Sequence, residues 1–135
     1  MFHYLRNCLT AIRCKCYLTS ICHYSMYLNG REVARISFHR LDDRFDRYNL
    51  SYNENVIHIS VIDSFGIINK GYGTVILKEF EYYCLIQGFR YIVLENSVFD
   101  GLEDNDEWKS RRNHFYSKLG YNSIDGYHMV KRISM

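Results

Sequence analysis

The sequence predicts an α+β fold built on a mixed, mostly antiparallel sheet, and three observations carry that prediction. Asn29-Gly30 joins two segments rich in β-branched and aromatic residues. Val56 to Leu94 reads as strand, glycine turn, helix, strand, the order of a parallel crossover. Asp125-Gly126, near the end, is a second two-residue hairpin signal.

Taken in order, Leu5, Leu9, Ile12 and Cys16 keep a helical spacing but run into the strand-like Tyr17 to Ile21. A short strand or irregular arm and then a short helix are expected there. Ile21 to Leu28 and Arg31 to His39 form the hairpin, since both Asn and Gly tolerate positive φ. Leu41 to Asn55 has no apolar stripe and reads as a loop. Val56 to Ile62 is apolar except for His58 and Ser60, which alternate onto one face, as in a strand buried on most of both sides. After Gly71-Tyr72-Gly73-Thr74, the spacing of Ile76, Phe80 and Tyr83 predicts a helix that stops at Gly88. Tyr91 to Leu94 is the next buried strand. An acidic loop, Asp100 to Glu107, precedes a helix from Trp108 to Leu119, stopped by Gly120; Tyr121 to Ile124 and Tyr127 to Arg132 make the final hairpin.

The whole chain, 135 residues, is the size of one domain, and its 47% hydrophobic and 24% charged residues are those of a globular protein. A net charge of +2 is too small to imply polyanion binding. No apolar run approaches a membrane span, and Arg6, Asn7 and Arg13 interrupt what a signal peptide would need as an apolar stretch, so a soluble, cytoplasmic protein is expected. Cys8, Cys14, Cys16, Cys22 and Cys84 are an odd set that reads as reduced thiols. The first four, with His3 and His23, lack a paired Cys-x-x-Cys, so no metal is expected. Lys109, Arg111, Arg112 and His114 beside Trp108 read as a solvated helix face rather than a nucleic-acid patch.

The segment richest in chemistry is Ile68 to Leu77. Two glycines at i and i+2 between a buried strand and a helix let successive N–H groups point into one concavity at the positive helix end, which suits a diphosphate; a tight turn is the plainer alternative. This turn, its order in the chain and the downstream Phe115-Tyr116-Ser117-Lys118-Leu119-Gly120-Tyr121 together resemble the GCN5-related N-acetyltransferase (GNAT) superfamily, over about Ile21 to Ile133. The resemblance implies a sheet split between its fourth and fifth strands, with acetyl-CoA in the split and direct transfer of its acetyl group to a primary amine of a small molecule or protein. It implies cofactor contacts from Ile62 and Asp63 at the end of the fourth strand, from Ile68, Asn69, Lys70, Gly71, Tyr72, Gly73 and Thr74 in the turn, and from Lys109 and Tyr116. The family's Arg or Gln at the first turn position is Ile68 here, and its Asn seven residues before the helix tyrosine is Lys109. The region before the hairpin is also shorter than the family's.

Direct transfer needs a positioned thioester, a neutral amine and a proton for the departing thiolate. Tyr116 is the candidate acid, against the alternative of a core tyrosine. His58 and Glu95 are candidate bases acting through water, against a satisfied core histidine and a solvated strand end. The competing reading is a shortened, non-catalytic acyl-CoA-binding or interaction module; a third is an RNA-binding α+β domain. Membranes are not expected partners, and a homodimer is left open.

Overall fold

A computed structural model describes residues 14–40, 56–65, 71–95, 106–124 and 128–134. Residues 1–13 of the expected N-terminal helix, the 41–55 loop and the Asp125-Gly126 turn lie outside the described residues, and Cys16, which the helical spacing placed on that helix, is in a strand instead. Seven strands form one sheet in the order β1-β2-β3-β4-β5-β7-β6. They are β1 (Cys14–Ser20), β2 (His23–Leu28), β3 (Arg31–Arg40), β4 (Val56–Ser64), β5 (Tyr91–Glu95), β6 (Asn122–Ser123) and β7 (His128–Arg132). Two helices complete the described elements, α1 (Tyr72–Ile86) and α2 (Asp106–Lys118).

The expected hairpin is present between β2 and β3, with Asn29 at φ 50° and Gly30 at φ 81°, the paired positive values that an Asn-Gly turn supplies. The segment before it departs from the expected helix and from a hairpin arm starting at Ile21, since the arm begins at His23 and a separate strand precedes it. Ile21 and Cys22 form a turn, and β1 folds back on β2 with Cys14 opposite Leu28. Ser20 explains the break: its hydroxyl accepts from the Cys22 amide at 3.2 Å and lies 2.8 Å from His23 Nδ1, a local bond that competes with continuing a strand.

β4 and β5 are parallel, as the crossover through α1 requires, and every other described pairing is antiparallel. Helix α1 ends as its glycine predicts. Gly88, at φ 95°, donates to the Leu85 carbonyl and Phe89 donates to that of Cys84, closing the last turn. Gly120 does the same for α2, with Gly120 donating to Ser117 and Tyr121 to Tyr116. That helix begins at Asp106, two residues before the expected Trp108, because acidic residues are favoured in a helix's first turn.

One face of the sheet carries the core. Tyr24, Met26, Ile36, Phe38, Ile57, Ile59, Ile92 and Leu94 pack under Ile76, Phe80 and Cys84 of α1 and Tyr116 of α2. Among the described residues the opposite face carries a small cluster around Val56 and Val93. No helix among the described residues is long and apolar enough to cross a membrane.

Candidate functional site

Two features of β4 open the sheet. Among the described residues its pairing with β5, whose description ends at Glu95, runs from Val56↔Tyr91 to Ile59↔Leu94, while β4 continues to Ser64 against β3. At the same point Ser37 pairs with Val61 but Phe38 with Ile59, leaving Ser60 as an extra residue. Such a bulge increases local twist and swings the strand aside. It also corrects the expected alternation: Ser60 does not simply continue the face of His58, and Ile62 turns to pack against the helix-side core. This sets a wedge at the end of the β4–β5 pair, where the edge of β4 that faces away from β3, from Ser60 to Ser64, has no strand partner among the described residues.

The glycine turn follows β4 in the chain and opens α1. Gly71 is the N-cap of α1 at φ 79°, a conformation β-branched residues avoid, and its carbonyl receives the Val75 amide at 3.1 Å. Among the described residues no side chain caps the helix, and its first turn holds no acidic residue to offset the positive end. Gly73 has no positive φ, and its role differs from that of Gly71. A Cβ built on it would sit 3.7 Å from Phe115 Cζ, an ordinary contact that ties the start of α1 to α2. Tyr72, Thr74, Ile62 and Asp63 are each half-buried. Ile68, Asn69 and Lys70 lie outside the described residues, and Lys109 is placed in the first turn of α2.

Tyr116 is buried in the helix-side core, with its ring 5.2 Å from Phe115 and 6.2 Å from Tyr121. Burial pushes its phenol up to about 12, opposed weakly by the Arg112 charge. That is further above a thiol's reference value of about 8.5 than an exposed tyrosine would be. His58 and Glu95 are together on the other face of the sheet, with His58 Nε2 3.6 Å from Glu95 Oε1. His58 is almost fully buried, whereas the Glu95 side chain is 37% exposed. The candidate acid and bases thus flank the sheet from opposite sides.

Two groups escaped the sequence reading. His128 faces Glu95 directly across β5 and β7, and its ring centroid is 6.0 Å from that of His58. Glu81 is buried on α1, where its carboxylate accepts from the Tyr121 hydroxyl at 2.8 Å and the Lys131 ammonium at 2.9 Å. Its partners are 40 and 50 residues away, and no local pattern announces them. A separate cavity of about 340 Å³, lined by Cys16, Tyr24, Glu79 and Tyr83, lies at the opposite end of α1 from the glycine turn.

No protein-family model and no curated protein matches the sequence. Solved structures do match the fold. A protein of Lactobacillus plantarum described as an N-acetyltransferase superposes with a TM-score of 0.61 at 14% identity, over 83% of this chain and 68% of its own. One of Desulfovibrio desulfuricans, described as a GNAT-family acetyltransferase, gives 0.60 at 11% identity over 83% and 69%. Naa50 of Arabidopsis thaliana, solved with a bisubstrate analogue containing CoA, gives 0.56 at 17% identity over 81% and 71%. With its parallel β4–β5 pair opened beside a glycine-capped helix, this chain has the fold of the GCN5-related N-acetyltransferase superfamily.

Proposed function

We propose that this protein binds acetyl-CoA in the β4–β5 wedge and transfers the acetyl group directly to a primary amine of a small molecule or a protein. The observation that carries the reading is the bulge at Ser60, beyond which β4 continues to Ser64 with no described pairing to β5, on a strand that α1 and its Gly71 N-cap follow in the chain. An extended pantetheine arm can add to the Ser60–Ser64 edge as a strand would, using main-chain hydrogen bonds. Its diphosphate then meets the backbone of the turn ending at Gly71, Tyr72, Gly73 and Thr74, with Asn69 and Lys70 before it.

In this reading the amine nitrogen attacks the thioester carbonyl, the C–S bond breaks as the amide forms, and the amine's proton leaves through a water held by His58 or Glu95. Tyr116 donates to the departing sulfur. Its raised pKa keeps the phenol protonated but makes full transfer harder, and the pair stays matched where the thiolate is equally buried, because desolvation raises both. The burial of Tyr116 also favours a second reading, in which the tyrosine only packs and the chain is an acyl-CoA-binding module without turnover.

Calorimetric titration with acetyl-CoA, followed by thiol release over a panel of amines, tests both readings. Binding with turnover supports the transferase, binding alone supports the module, and indifference to acetyl-CoA removes both. Tyr116→Phe keeps the ring, so an acid role predicts turnover down about 10²-fold with acetyl-CoA affinity unchanged. Normal turnover in a stable variant would take Tyr116 out of the mechanism.

A further inference from the structure

We propose that His58, Glu95 and His128 form a binding site for a first-row divalent transition-metal cation, of which Zn²⁺ is the natural probe. The three donor atoms, one per residue, lie within 4.8 Å of one another. They come from three adjacent strands, and the ladder brings them together. Glu95 and His128 are direct partners across β5 and β7, so their side chains leave the same face side by side. His58 pairs with Val93 on β4 and β5, which makes Glu95 its diagonal neighbour on that face.

The donor chemistry selects the ion. Two imidazoles and one carboxylate are the ligand set of three-ligand zinc sites and of non-haem iron sites, while magnesium and calcium prefer oxygen throughout. Tetrahedral zinc bonded at about 2.0 to 2.1 Å sets its donors roughly 3.3 Å apart, so the cluster must draw in by no more than about 1.5 Å. Glu95, partly exposed and mobile about its side-chain torsions, can supply that movement while the buried His58 stays in place. His39 packs its ring 4.6 Å from that of His58 and limits how His58 can turn. The half-exposed side of Glu95 leaves an entry path and a fourth position for water.

This inference does not rest on acyl transfer. The strands place the donors whether or not acetyl-CoA binds, although a bound cation would occupy the two groups assigned above as proton acceptors, so cation and base are exclusive states of one cluster.

The test titrates the reduced full chain with Zn²⁺ by calorimetry and with Co²⁺ by visible absorption, without acetyl-CoA. The expected result is saturable one-to-one binding, and cobalt ligand-field bands with no sulfur-to-cobalt charge-transfer band. Glu95→Gln and His128→Ala should each weaken affinity at least tenfold, whereas Cys22→Ser should leave it unchanged. Absence of saturable binding to the unaltered chain overturns the proposal, as does a charge-transfer band from thiolate or equal affinity in Glu95→Gln, whose near-identical shape preserves the fold. Failure of acetyl-CoA titration would leave this result untouched, so the two readings fail separately.

Discussion

The two faces of the sheet are built from the same strands and do opposite work. On the helix side, alternate residues such as Ile57, Ile59, Ile92 and Leu94 are buried beneath α1, and Glu81, one of two buried carboxylates of that helix, is held by Tyr121 and Lys131. On the other side the intervening positions carry His58, Glu95 and His128, grouped without a large apolar cluster. Strand alternation lets one segment present both faces: Ile57 and Leu94 pack beneath α1 while their neighbours His58 and Glu95 lie on the other side. The difference teaches that a buried carboxylate's meaning depends on its face. Glu81 has fixed partners and reads as structural, while Glu95 is partly exposed beside two imidazoles.

Substitutions can break that contrast. The largest effect is expected for Phe80→Ala, which empties the centre of the helix-side core where Phe80 meets Tyr24 and Phe38 and should cost about 3 to 5 kcal/mol in chemical denaturation. His128→Ala on the other face should cost about 1 kcal/mol or less. Equal losses would mean that both faces hold the fold.

Next comes the pair of carboxylates. Glu81→Ala leaves the buried Tyr121 hydroxyl without its acceptor and should cost about 2 kcal/mol, while Glu81→Gln keeps an acceptor oxygen and should cost roughly half as much. Glu95→Gln should change stability by no more than about 0.5 kcal/mol. A denaturation midpoint as sensitive to Glu95 as to Glu81 would erase the distinction drawn between them.

The smallest effect on the fold, and the most selective, belongs to Gly73→Ala. Its Cβ has room beside Phe115, and alanine favours a helix by up to about 1 kcal/mol, so the melting temperature should hold or rise. If the turn meets a diphosphate, the added methyl blocks close approach, and acetyl-CoA affinity should drop about tenfold, near 1.4 kcal/mol, by calorimetry. Unchanged affinity in the folded variant would move the diphosphate elsewhere.

Much of this architecture was open to reading because its signals are local. Asn29-Gly30 demands positive φ at successive positions, Gly88 and Gly120 end helices by accepting a left-handed conformation, and the apolar run of β4 with the helix after it forces a parallel return in β5. The β1–β2 turn was also local, written in Ser20, but masked by the β-branched and aromatic residues around it.

What the sequence by itself determined, then, is the order and kind of most elements and the neighbourhood of the glycine turn, because main-chain conformation is set by residues a few places apart. Only the tertiary structure decided the bulge at Ser60, the burial of Glu81 and the meeting of His58 and Glu95 with His128. Each depends on strand register, and register is chosen by which whole set of side chains is buried; a slip of one residue would send Glu95 and His128 to the helix face and dissolve the cluster.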